Sequence, residues 1–196
     1  VAVGLFTEAG FAAAVYYTAH STLASAALFL LADLITRQRA AAGDRLDTAD
    51  FMPHVTLLGG MFFVTAVTVA GLPPLSGFVG KLMVLEAAQP APGAIVSWSV
   101  LLVAALVVIV ATARAGSALF WRTTPASAAG QVTPLDRRAV VAVAGLLACI
   151  LGLVIWGGAA TSYAWDTARQ LADPSGYVSA VLGEGGGVHE QRRSLR

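Results

Sequence analysis

The chain has 196 residues, 57% of them hydrophobic and 12% charged, with a mean hydropathy of +0.75. A soluble domain carries about 25% charged residues, so the deficit excludes an ordinary globular domain and points to a membrane protein. A net charge of +1 without a dense basic run gives no reason to expect a nucleic-acid partner, and one cysteine, Cys149, cannot form an internal disulfide.

A membrane span needs about 20 mostly apolar residues. Four segments meet that need, at about 10–35, 56–88, 94–120 and 139–160, which predicts an all-α polytopic membrane domain over residues 1–162. The chain opens on valine with no basic stretch before the first apolar run, so a signal peptide is not expected and a fragment of a longer protein is. In the first span His20 shares a helix face with Tyr16, Ala24 and Ala27. Thr18, Ser21, Thr22 and Ser25 make a different stripe, so burial on two sides is expected.

The second span is roughly ten residues longer than a bilayer requires. In the third, Trp98 and Trp121 lie roughly 34 Å apart along a helix, the spacing of two interfacial anchors. In the fourth, Ala144, Gly145, Ala148 and Gly152 would allow close helix packing. Residues 163–196 are expected outside the membrane, as a short surface helix to Ala172 and a flexible tail "GEGGGVHEQRRSLR". Arg37, Arg39 and Arg45 follow the first span, the next connection "QPAPGAIVS" has no basic residue, and Arg122, Arg137 and Arg138 fill the third. The first and third connections are therefore expected on the cytoplasmic side, with the C-terminus outside.

The overlong second span contains "AGLPPLSGFVGK", residues 70–81. Pro73 and Pro74 lack an N–H, so the carbonyls of Val69 and Ala70 lose their helical partners. Gly71 and Gly77 make a departure from helical geometry cheap. Backbone groups freed in this way survive at membrane depth only inside protein or beside water. The segment is thus expected to be a discontinuous helix joined near Gly71 to Ser76, the kind of break that marks ion sites in transporters.

Lys81 follows the break and is the only lysine; the other basic residues are arginines at span ends, in connections or in the tail. A charge at this depth costs roughly 2.5–3.5 kcal/mol. A buried lysine, unlike an arginine, can give up its proton, which makes Lys81 a candidate proton-transfer group. The alternatives are a side chain snorkelling to the surface or an ion pair with Glu86. His20, near the middle of the first span, is the second candidate, since imidazole titrates near neutral pH. Glu86 and Asp33 are weaker candidates for carboxylates at the entrance or exit of such a path, and Asp33 reads more simply as reaching water. Asp44, Asp47 and Asp50 lack the glycine of a calcium loop, and His54 and His189 lie outside the spans. Neither metal-ligand spacing nor a nucleophile–base set nor a phosphate loop is present, so no metal, cofactor or soluble active site is expected.

"YYTAHSTLASAALFLLADLI" and "AVTVAGLPPLSGFVGKLMVLEAA" resemble the antiporter-like membrane subunits shared by Mrp-type multisubunit Na+/H+ or K+/H+ antiporters and respiratory complex I, most nearly the D-type Mrp subunits. The resemblance extends to "ARAGSALFWRT" and "LADPSGYVSAVLG". It implies the C-terminal part of a fourteen-helix fold, with this chain resembling helices eleven to fourteen and the discontinuous one at 56–88. It also implies a multi-pass protein of the bacterial cell membrane, partnered by other antiporter subunits and lipid and handling protons with Na+ or K+. The family's half-channel lysine and histidine fall on Lys81 and His20. The alternatives are a proton-pumping subunit of NADH:quinone oxidoreductase and a non-conducting assembly scaffold. One complex I relative has glutamate in place of the lysine and another a long lateral helix, and neither matches this sequence; the remaining complex I relative keeps the lysine and is the competing resemblance.

Overall fold

The computed structural model describes residues 2–39, 43, 49, 50, 52, 54–121, 123, 124, 134–173 and 175–182. Arg45, Arg122, Asp44, Asp47, His189 and the tail named above lie outside the described residues. Helices α1 (Glu8–Gln38), α2 (Val55–Ala70), α3 (Ser76–Ala88), α4 (Ala94–Phe120), α5 (Arg137–Ile155), α6 (Gly157–Ala172) and α7 (Ser175–Leu182) make up nearly all of it. Two-residue strands β1 (Ala49–Asp50) and β2 (Thr123–Thr124) pair in parallel. Since β1 follows α1 and β2 follows α4, that pairing puts the first and third connections on one side of the bundle. Helices α1, α4 and α5 are long and apolar enough to cross a membrane, and α2 and α3 together form the fourth crossing.

Helix α1 is the spine. Thr7 starts it by accepting from the Gly10 amide at 3.0 Å. Its 31 residues extend roughly 46 Å, more than a hydrocarbon core of about 30 Å. Tyr16, His20, Ala24, Ala27, Leu31 and Leu34 are buried at spacings of four or three, a single stripe along the helix. Helices α2, α3, α5 and α6 all pack on α1. The second stripe expected to be buried is not: Thr18, Thr22 and Ser25 are exposed and Ser21 half-buried. Thr18, Ser21 and Thr22 bond back to the carbonyls of Ala14, Thr18 and Thr18, the usual way a helix satisfies hydroxyls on its own backbone.

Helix α5 starts on Asp136, whose carboxylate accepts from the Arg138 amide at 2.9 Å, and buries Val143, Leu147 and Ile150. Ala144, Gly145 and Ala148 are exposed, so the small-residue face expected to pack closely looks away from the described chain. The apolar run 139–160 is divided between α5 and α6, because the helix ends at Trp156 and a new one begins at the flexible Gly157–Gly158 pair. The segment expected as a surface helix belongs to α6, and its Ala164 and Ala168 are buried against Ala12 and Tyr16 of α1. Trp98 does not act purely as an interfacial anchor. Its indole N–H donates to the Leu85 carbonyl at 3.0 Å and ties the start of α4 to the end of α3.

Helices α1 and α3 touch through glycine. A Cβ at Gly80 would stand 2.8 Å from a Tyr17 ring carbon and 3.4 Å from one of Tyr16. Gly80→Leu is expected to cost about 1–3 kcal/mol through overpacking, read as a lower thermal midpoint of the detergent-solubilised protein. Gly145→Leu, where a Cβ meets nothing within 4 Å, is expected to leave that midpoint in place.

Candidate functional site

The site is the interruption between α2 and α3. Helix α2 ends at Gly71, which adopts φ +69°, ψ 43°. The Gly71 amide donates to the Thr68 carbonyl and the Leu72 amide to the Val67 carbonyl, both at 3.1 Å. This is the Schellman arrangement that closes a helix on a left-handed residue. It leaves the carbonyls of Val69 and Ala70, which Pro73 and Pro74 cannot serve, as the sequence anticipates. Pro73 and Pro74, joined by a cis peptide bond, are exposed at the turn. Helix α3 restarts at Ser76.

Lys81 fills one of the two vacant places. Its ammonium donates to the Ala70 carbonyl at 2.5 Å, reaching back over the break from the second turn of α3. Lysine side chains lean toward the helix N-terminus, so the reach needs no unusual direction. The path crosses Gly71, where a Cβ would come within 2.7 Å of Nζ and 2.8 Å of Cδ and Cε. Gly71 is thus required twice, for its backbone angle and for its bareness. Lys81 is half-buried and also lines a cavity of about 290 Å³ between the break and α4, with Leu82, Leu102 and Leu106. A larger groove of about 660 Å³ between α2 and α4 borders Ala70 and contains no ionisable side chain.

His20 reaches the break from α1. It is 3% exposed, and its Nδ1 lies 2.9 Å from the Ser76 hydroxyl, itself fully buried at the first position of α3. The Tyr17 ring meets the imidazole edge-on with centroids 5.5 Å apart. A Cβ on Gly77 would collide with the Thr68 carbonyl and approach His20 Cε1 to 3.0 Å, so Gly77 lets α1, α2 and α3 converge. Lys81 lies within electrostatic range of the His20 ring. The two ionisable candidates therefore grip opposite sides of one five-residue interruption.

The weaker candidates lie elsewhere. Asp33 pairs with Arg37 at 2.8 Å on the exposed end of α1, roughly 20 Å along the helix from His20. Glu86 is exposed on the last turn of α3. Among the described residues the ion pairs are Arg37–Asp33 and Arg169–Asp166, so the Lys81–Glu86 pair does not form. His54 is exposed before α2. Ser76 and Tyr17 escaped the sequence reading as partners of His20. The available signal was a hydroxyl placed directly after the proline turn, where a helix must restart inside the protein.

The family of membrane proteins described as "NADH:quinone oxidoreductase/Mrp antiporter, TM" matches residues 1–112, a stretch that holds both His20 and the interruption with Lys81. The chain belongs to this family. Similar curated proteins include the Na(+)/H(+) antiporter D subunit of Alkalihalophilus pseudofirmus, 31% identical over 93% of this chain and 36% of that protein. The Na(+)/H(+) antiporter D subunit of Bacillus subtilis is 32% identical over 93% of this chain and 36% of its own length. The probable K(+)/H(+) antiporter D subunit of Rhizobium meliloti is 30% identical, over 92% and 38% respectively. The chain thus spans little more than a third of the length of these relatives. Within this family, the described residues form a multi-pass, predominantly helical membrane piece with one discontinuous crossing.

Substitution at the hinge separates its two requirements. Gly71→Ala faces both a left-handed backbone, costing about 1–2 kcal/mol, and the Lys81 side chain. Gly93 has φ +90° with nothing within 4 Å of its Cβ. Gly71→Ala is expected to lower the thermal midpoint further than Gly93→Ala in the same melting experiment.

Proposed function

We propose that the chain is part of a membrane subunit of a multisubunit monovalent cation/proton antiporter, in which Lys81 and His20 pass protons through the interrupted helix. The observation that supports this reading best is the Lys81 ammonium on the Ala70 carbonyl at a break that also holds His20. A charged ammonium is a far stronger donor than a neutral amine. Loss of the Lys81 proton therefore loosens its hold on Ala70, and return of the proton restores it. Protonation and the geometry of the break are then coupled, as alternating access to the two membrane faces requires. The imidazole offers the nearby group that can take up and release a proton in turn.

On this reading the protein is a transporter part and not an enzyme, needs no cofactor, and works with other antiporter subunits in the bacterial cell membrane. Its ions are protons with Na+ or K+. The antiporter names of the relatives favour it over the second reading, a proton-pumping subunit of NADH:quinone oxidoreductase, which the family description also covers. Glu86 and Asp33 remain candidates only for the outer and inner approaches.

In everted vesicles containing the complete complex, Lys81→Ala is expected to abolish cation-driven dissipation of a pH gradient while the complex still assembles on native gels. Lys81→Arg is expected to impair exchange as well, because a guanidinium keeps its proton. Full exchange in the arginine variant refutes the titration argument, and full exchange in the alanine variant turns the chain into a scaffold. The charge pattern of the connections supports a cytoplasmic side for the first and third. Accordingly, with Cys149 replaced by alanine, Ala91→Cys in intact cells is expected to react with a membrane-impermeant maleimide and Arg138→Cys only after permeabilisation. The reverse pattern overturns the orientation.

A further inference from the structure

We infer that Ser76 is a positioning residue for proton transfer: its hydroxyl clamps the imidazole of His20 by Nδ1 and leaves Nε2 as the nitrogen that exchanges the proton. The inference rests on the proposed role of His20. Both groups are almost wholly removed from solvent, at 3% exposure for His20 and none for Ser76, and they lie 2.9 Å apart. A hydroxyl is both donor and acceptor. It can accept from Nδ1–H of the neutral and of the charged ring alike, so the clamp holds while Nε2 loses and regains its proton. A carboxylate or an amide N–H in its place would favour one charge state.

The remaining edges of the ring are assigned by their contacts. Cε1 faces Gly77, and Tyr17 lies edge-on to the ring. Nε2 has no hydrogen bond among the described residues. The division of labour is therefore built in, one nitrogen held and the other available. Ser76 also opens α3, the half-helix that bears Lys81, so the clamp makes the imidazole follow any displacement of that half-helix. The other titratable groups that act on the ring are Tyr17 on its own helix and Lys81 on α3.

The test is exchange by the complete complex in vesicles across a range of pH, with Ser76→Ala, Ser76→Thr, His20→Ala and Lys81→Ala measured side by side and assembly followed on native gels. Ser76→Ala, which adds no bulk, is expected to assemble normally and to slow exchange about two- to tenfold, the worth of one buried hydrogen bond. Its pH of half-maximal exchange is expected to move by about half a unit or more, and Ser76→Thr, which keeps the hydroxyl, to restore both rate and profile. A native rate and profile in Ser76→Ala overturns the proposal, as does a lowered rate with an unmoved profile, which marks a packing role only. Equal impairment of the alanine and threonine variants also overturns it. Should His20→Ala and Lys81→Ala exchange normally, the functional reading falls and takes this one with it. Should they be inactive while Ser76→Ala is native, only the role of Ser76 is lost.

Discussion

The structure depends on one hydrogen bond, from the Lys81 ammonium to the carbonyl of Ala70. Each partner is untenable alone at membrane depth. A carbonyl deprived of its amide by proline costs several kcal/mol in hydrocarbon, and an unpaired ammonium costs more. Each settles the other, and the carbonyl end of α2 carries the negative pole of its helix, which favours a cation there. The bond also replaces the missing stretch of the helical ladder. Two half-helices of 16 and 13 residues, neither long enough to span a bilayer, act as one crossing because a side chain of the second caps the first.

Everything near that bond is arranged to permit close approach. Gly71 leaves room for the lysine stem, Gly77 for the Thr68 carbonyl and the imidazole, and Gly80 for the two tyrosine rings. Membrane helices gain little from hydrophobic burial against one another and associate through such close backbone contact. Thr65 and Thr68, fully buried on α2, turn their hydroxyls back onto Met61 and Val64. They add no unsatisfied polarity to the neighbourhood of the break.

Much of this was legible in the residues. A Pro-Pro pair flanked by glycines inside an apolar run has few backbone solutions, and the break at Gly71 to Leu75 follows from the missing N–H groups. A lone lysine among arginines stood out for the same reason of cost. The buried stripe through His20 followed from helical periodicity. What stayed hidden was set by tertiary contact. Nothing local to Ser76 announces that a histidine 56 positions earlier will meet it. The stripes at Thr18 and at Gly145 suit helix packing because small and hydroxyl residues permit it, but among the described residues no helix covers them. The split at Trp156 was masked by apolar residues on both sides of it, where hydropathy does not register a helix boundary.

One contact on α1 ties the two interruptions together. The Tyr16 hydroxyl reaches the Leu153 carbonyl at 3.4 Å, at the last turn of α5 just before the chain re-forms as α6. His20, one turn further along the same stripe, holds the start of α3. The spine thus behaves like a shaft with two teeth in register, and any twist about its long axis must strain both joints together. A torque delivered at either joint is felt at the other within a single helical pitch.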